Sequence, residues 1–306
     1  MIIAVFPGQG SQTPGFLAPW LELDGARERL ERFSEDAGLD LVAAGTEWDA
    51  DRIRDTKVAQ PLIVAASLLS WATLTAEAGR GADGVAGHSV GEIAALVAAG
   101  VLGEDEGMRL VALRGRAMAD AAALERTGMS AVLGGDATEV LARLQSLDLT
   151  PANHNGGGQI VAAGNLPALA ELADTPPAGT RVIPLQVAGA FHTRYMEPAV
   201  ATLRAAASEL SPADPTTTLW TNADGSIVPD GRTALELLVA QVASPVRWDL
   251  CMQSFATSGV TGVVELAPAG TLTGLVKRGL RGTPTVAVKT PDDIAAAVAL
   301  LKGETA

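Results

Sequence analysis

Residues 84–99 place a short apolar run, a turn flanked by glycines and a helical pattern in direct succession. Residues 84–87 lead through Gly87-His88-Ser89-Val90-Gly91 into a helix over 92–99. A strand that turns so sharply into a helix lays that helix back on its own sheet, which restricts the chain to folds built on parallel strands. The same pattern recurs. Residues 2–6 read as a buried strand closed by Pro7-Gly8, and residues 261–266 as another closed by Pro268 and Gly270. Helical patterns at 61–77 and 104–123 lie between them, the second with acids in its first turn, where the helix dipole favours them. The expectation is an α/β fold with a mainly parallel sheet.

Residues 130–189 have a different rhythm. A strand at 130–133, a helix at 137–147, strands at 151–155 and 159–163, a helix at 166–173 and a strand at 181–187 follow in that order. This β-α-β-β-α-β succession is the ferredoxin-like unit. Patterns of the larger kind resume after it, so we expect a ferredoxin-like α+β subdomain, 128–190, inserted in a discontinuous core made of 1–127 and 191–306. The sequence contains no long-period repeat and no low-complexity linker.

Composition limits what such a fold can do. A chain of 306 residues with 48% apolar content can bury a large core. Thirty-five acidic side chains against 22 basic ones leave a net charge of -13, which disfavours nonspecific attraction to nucleic acid or to an anionic membrane surface. The apolar run at residues 2–6 has no basic flank and is too short for the core of a secretory signal. No uninterrupted apolar run reaches the roughly 18 residues that a membrane span needs. The lone cysteine, Cys251, lies in a helical-looking stretch and reads as a buried small hydrophobe. We therefore expect a cytoplasmic protein with neither nucleic acid nor membrane as partner.

Gly87-His88-Ser89-Val90-Gly91 also fits G-x-S-x-G. In such a turn the serine backbone is strained and the flanking glycines let neighbouring chain approach. The hydroxyl then projects at a helix N-terminus, where free N–H groups favour negative charge. The alternative, that Ser89 only caps the helix, is disfavoured by the strand before it and the helix after it. A serine nucleophile needs a base, and the chain has three histidines, His88, His154 and His192. His88 adjoins the serine inside the turn and reads as a structural hydrogen-bonding residue. His154 sits in the polar, hairpin-like Asn153-His154-Asn155-Gly156-Gly157-Gly158 and reads as a loop residue. His192 follows the last strand of the insert, where the chain returns to the core, and is the best base. Acyl transfer of this kind calls for no metal.

With these residues in place, the sequence resembles the malonyl-CoA:acyl carrier protein transacylases and the acyltransferase domains of fatty-acid and polyketide synthases. The resemblance covers essentially the whole chain. It rests on Phe6-Pro7-Gly8-Gln9-Gly10-Ser11-Gln12, Ala59-Gln60-Pro61, Gly87-His88-Ser89-Val90-Gly91-Glu92 and Arg114-Gly115-Arg116-Ala117-Met118. It continues through Gly189-Ala190-Phe191-His192-Thr193, Gln241 with Ser244-Pro245-Val246-Arg247-Trp248, and Leu272-Thr273-Gly274-Leu275-Val276-Lys277. The chain departs from the usual pattern at Ala119, where glutamine is common, and at Ala267, where glycine is usual.

The resemblance implies a hydrolase-like α/β core with a ferredoxin-like insert, and it assigns roles. Ser89 would carry the acyl group and His192 would be its base. The Gln9 and Val90 N–H groups would form the oxyanion hole, Arg114 would hold the malonyl carboxylate, and the Gln241 carbonyl would orient His192. Gln60, Met118 and Phe191 would shape the substrate pocket, with the aromatic at 191 narrowing the space for the extra methyl of methylmalonyl and so favouring malonyl. Coenzyme A enters as a thioester substrate and no cofactor is bound permanently. The second partner, an acidic acyl carrier protein, needs a local basic patch despite the net charge, for which Arg181 and the Lys277, Arg278 and Arg281 cluster are candidates.

Rival readings remain. G-x-S-x-G also serves α/β-hydrolases, but their histidine usually stands near the C-terminus, whereas His192 lies more than a hundred residues from the end. A patatin-like hydrolase needs an aspartate in a glycine-containing turn, for which Asp224-Gly225 is a candidate, and it leaves Arg114 without a role. A catalytically silent scaffold would have no need for serine, histidine and arginine together. Dinucleotide binding at Gly8-x-Gly10 fails because residue 13 is threonine where glycine is required.

Overall fold

The computed structural model describes residues 1–304; the last two residues of the expected second core segment lie outside it. Its strands are β1 (Ile2–Phe6), β2 (Gly84–Gly87), β3 (Thr127–Gly134), β4 (Thr150–Gly156), β5 (Gln159–Asn165), β6 (Thr180–Pro184), β7 (Thr218–Trp220), β8 (Gly262–Glu265) and β9 (Thr285–Ala287). Five of them form a parallel sheet in the order β7-β2-β1-β8-β9. The central strands are apolar throughout because both faces are covered. Along β1, Ala4 and Phe6 enter the core on one face and Ile3 and Val5 the core on the other. The second face is closed by Trp220, Trp248 and Phe255, whose rings meet edge to face.

The strands β4-β5-β3-β6 form a separate antiparallel sheet in that order. With the helices Ala137–Ser146 and Leu166–Asp174 they make the expected β-α-β-β-α-β unit. Val132, Val140, Leu144, Ala162, Leu169 and Leu172 give it a core of its own. Its β4 edge is not left open. His154 N–H donates to the Val246 carbonyl at 2.9 Å and Val246 N–H to the Ala152 carbonyl at 2.9 Å, so a segment of the larger unit continues the ladder.

Two details differ from the sequence reading. His154 lies within β4 rather than in a loop, because the turn begins only at Gly157, three residues later. The helix expected to open at Pro61 spans Thr56–Ala78, started by Asp55, whose carboxylate accepts from Lys57 N–H. A proline suits a first turn but does not mark it when a cap stands upstream. By length and composition this helix could cross a bilayer, yet 78% of its most apolar window is buried inside the fold.

Candidate active site

The turn after β2 is as tight as the glycines suggest. Ser89 has φ 54, in the left-handed region that side chains rarely adopt. A Cβ on Gly87 would lie 2.0 Å from the Gly91 carbonyl carbon, and one on Gly91 would lie 2.2 Å from the Phe6 carbonyl oxygen. Only bare backbone lets β1, β2 and the helix Gly91–Ala98 meet this closely. At the end of β1 the Gln9 N–H, and at the start of the helix the Val90 N–H, find no hydrogen-bond acceptor among the described residues. Gln9 lines the same cleft as Ser89 and Val90 follows Ser89 directly, so both are available donors near the nucleophile.

His192 approaches from the segment after β6, itself at φ 61. Its Nε2 lies 2.7 Å from Ser89 Oγ and its Nδ1 2.7 Å from the Gln241 carbonyl oxygen. A carbonyl only accepts, so the proton sits on Nδ1 and leaves the Nε2 lone pair facing the serine O–H. Burial, then the Arg114 charge, pushes the His192 pKa down to about 3, so the ring is neutral at physiological pH. Asp224 is exposed and its carboxylate accepts from Ser226 N–H within its own turn. The structure forms a Ser-His dyad with a carbonyl in the third position.

Arg114 projects from the helix Glu104–Ala122 and is 1% exposed. Its Nη1 donates to Gln60 Oε1 at 2.7 Å, its Nη2 donates to Gln241 Oε1 at 2.9 Å, and Nη2 also lies 3.5 Å from Ser89 Oγ. Nε has no partner. Burial lowers the Arg114 pKa to about 10, with Glu92 opposing, which leaves it charged at neutral pH. No carboxylate among the described residues lies within ion-pairing distance of it.

A cleft of about 240 Å³ opens at the dyad; Arg114 does not line it but reaches within 3.5 Å of Ser89 Oγ from beneath. Gly8, Gln9, Ser89 and His192 form its floor, Phe191 one side, and Asn153, Asn155, Gln159, Leu272 and Leu275 the walls. Of the three residues expected to shape the pocket, Phe191 does line it. Gln60 and Met118 do not: both are buried behind Arg114, with Gln60 Nε2 donating to Met118 Sδ at 3.4 Å, because the amide is needed to satisfy the guanidinium. His88 Nε2 pairs with Asn155 Oδ1 at 2.9 Å, tying the turn to the insert. Cys251 is buried and its thiol pKa is raised well above the usual value by burial.

The basic residues expected to dock a partner are at the surface. Arg181, Lys277, Arg278 and Arg281 are all exposed. Leu133 pairs with Gln159 on one side and Arg181 on the other, so these three share one face of the sheet. Gln159 Oε1 accepts from Arg278 Nη2 at 3.2 Å. Arg278 is thus tied to a residue that lines the cleft, and Arg181 lies two strands away on the same face.

Sequence reading missed Asn222, Glu92 and the side chain of Gln241. Asn222 Oδ1 accepts from Ser89 N–H at 2.8 Å and its Nδ2 donates to the Gly87 carbonyl at 2.7 Å. Sequence reading gives Glu92 no role of its own beyond the motif that contains it, and Asn222 follows β7, too short to recognise as a strand. The one signal available was an acid in an otherwise apolar helix.

Comparison with known proteins bears on this arrangement. Residues 3–301 match the acyl transferase domain. The chain is 54% identical over 297 residues to the malonyl CoA-acyl carrier protein transacylase of Mycobacterium tuberculosis, covering 96% of this chain and 98% of that protein. The chain belongs to the malonyl-CoA:acyl carrier protein transacylase family. The Escherichia coli transacylase is 32% identical over 303 residues, covering 97% of this chain and 98% of the relative. The crystal structure of the Mycobacterium tuberculosis transacylase superposes with a TM-score of 0.94 at 53% identity, covering 97% of this chain and all of that one. A malonyl-transacylase solved with a type II polyketide-synthase acyl-carrier protein superposes at 0.92 and 30% identity, covering 97% of this chain and 98% of the other. Within this transacylase family the two-sheet architecture is thus shared over nearly the whole length.

Proposed function

We propose that this chain transfers malonyl from malonyl-CoA to the phosphopantetheine thiol of acyl carrier protein through a malonyl ester on Ser89. One observation carries the reading to this acyl group: a buried, charged guanidinium stands 3.5 Å from the nucleophile with no carboxylate among the described residues within ion-pairing distance, Glu92 reaching it only across the Gln241 amide. A buried cation is stable only when paired. The free carboxylate of a malonyl group on Ser89 supplies the missing anion, and the planar fork of Arg114 donates to it in two places.

The chemistry follows from the dyad. Ser89 Oγ attacks the thioester carbon as its proton passes to His192 Nε2, and the Gln9 and Val90 N–H groups receive the oxyanion. Collapse breaks the carbon–sulfur bond, and coenzyme A leaves with the proton from His192. The carrier thiol then gives its proton to His192, attacks the ester carbon and releases Ser89 Oγ, which recovers the proton. Coenzyme A is spent as a substrate, so the reaction asks for no resident cofactor. Such substrates are found in the cytoplasm, where we place the protein. We read 128–190 as the inserted subdomain that roofs the cleft, with 1–127 and 191–306 as the core. A hydrolase reading explains the dyad but gives Arg114 no partner.

Intact-mass measurement after incubation with malonyl-, methylmalonyl- and acetyl-CoA tests the proposal. One malonyl adduct on Ser89 is expected, absent in Ser89→Ala. Phe191 beside the base makes methylmalonyl slower by roughly 10 to 200-fold, the usual discrimination for one methyl in a fitted pocket. An adduct on another residue would refute the assignment.

A further inference from the structure

We propose that Glu92 is a positioning residue for the acyl carboxylate: acting through the side chain of Gln241, it holds the Arg114 guanidinium in place, and it does so only as a carboxylate. The proposal rests on the role of Arg114 given above.

Glu92 lies in the first turn of the helix Gly91–Ala98 and is 5% exposed. Oε1 accepts from Asn222 N–H at 2.5 Å, and Oε2 accepts from Gln241 Nε2 at 2.6 Å. Nε2 of Gln241 also faces the Ser89 carbonyl and Asn222 Oδ1, each at 3.2 Å, so the amide presents its nitrogen to three acceptors and its oxygen to Arg114 Nη2. Glu92 provides the shortest of the three contacts. It does not touch the cleft, and its nearest charge, Arg114, is reached through the Gln241 amide.

The two N–H donors aimed at Glu92 require an acceptor, and the Thr221 hydroxyl beside it also favours the carboxylate. A carboxylate satisfies both, whereas an amide or a protonated acid turns one of its positions into a donor and sets donor against donor. The Asn222 N–H is fixed by the main chain. The Gln241 side chain is free to rotate, so it gives way and its hold on Arg114 goes with it. The Gln241 main-chain carbonyl need not move, and His192 keeps its orientation. The consequence falls on acyl groups that bear a carboxylate.

Arg114 and Cys251 are the charged or titratable groups that act on or respond to Glu92 from the elements packed against it, and its own helix carries no other. Cys251 stays a neutral thiol. Burial raises the Glu92 pKa to about 7, with the Asn222 hydrogen bond and then Arg114 opposing. The site therefore loses its carboxylate form as pH falls below neutrality, while His192 remains unprotonated.

The test is the ratio of kcat/KM for malonyl-CoA to that for acetyl-CoA, measured from pH 5.5 to 8.5 with the Ser89 adduct verified by mass. The shared coenzyme A phosphates cancel in the ratio. In the wild type the ratio should fall about tenfold across the acid limb, and Glu92→Gln should lower it about tenfold and remove its pH dependence. Glu92→Gln placed on Gln241→Met should add nothing to the ratio, since the effect passes through the Gln241 side chain. A wild-type ratio that is flat with pH, or equal losses for both acyl groups in a folded Glu92→Gln protein, overturns the proposal. The wild-type profile decides by itself if the variant does not fold. Loss of the Ser89 adduct site would instead refute the transfer reading.

Discussion

Arg114 is a buried cation whose two terminal nitrogens are each held by a glutamine oxygen, one from Gln60 and one from Gln241. Neutral acceptors orient the guanidinium without neutralising it, which preserves its attraction for an incoming anion. Arg116, two positions on, is exposed and reaches the Ala37 carbonyl, as expected for residues about 200° apart round a helix. Arg114→Ala should therefore abolish malonyl transfer selectively. Removing one partner of a charge-assisted pair costs about 2–5 kcal/mol, and acetyl transfer should be spared or raised. Comparing acylation rates for the two thioesters checks this, and an equal fall in both would make Arg114 structural.

At the scale of elements, the strand–turn–helix at residues 84–98 was legible because its constraints are local. Glycine at 87 and 91 and a strained serine between them specify one backbone path. His192 was legible only as a candidate, since the ring reaches Ser89 from beyond a whole subdomain. Short strands such as β7 and β9, three residues each, carry too little periodicity to be read. The edge we propose for carrier-protein docking belongs to this scale too. It combines β6 with the helix Thr271–Gly279, bridged by β3 and β5, where Arg181, Lys277 and Arg281 make no ion pair among the described residues. Arg181→Glu with Lys277→Glu and Arg281→Glu should raise KM for acyl carrier protein and flatten or reverse the rise of that KM with salt, while leaving acylation by malonyl-CoA unchanged. Steady-state rates for transfer beside single-turnover acylation separate the two, and equal effects on both would argue against this edge as the docking site.

For the molecule as a whole, stability should fall as the solution is acidified. His88, His154 and His192 all have pKa values lowered first by burial, the last to about 3 from an ordinary 6.5. The unfolded chain binds more protons than the folded one below 6.5, so stability is lost as pH falls through that range. Glu92, raised to about 7 from 4.5, acts in the opposite sense: the stability it contributes is present below 4.5 and lost as pH rises to 7. Three groups oppose one between 4.5 and 6.5, and below 4.5 the histidines act without that opposition. The urea midpoint should accordingly drop from pH 7.5 to 5 and drop more steeply below 4.5, and a midpoint that rises on acidification would contradict this. By itself the sequence determined the parallel-sheet core, the inserted β-α-β-β-α-β unit and the strained Ser89, because backbone periodicity and turn chemistry act between neighbours in the chain. The tertiary structure decided what depends on groups far apart: the joining of Ser89, Arg114, His192 and Gln241, the retreat of Gln60 and Met118 behind the guanidinium, and the buried Glu92–Gln241–Asn222 cluster. A side chain's partners are set by which distant backbones pack beside it, and desolvation, which sets the charge on His192, Glu92 and Arg114, exists only once they have.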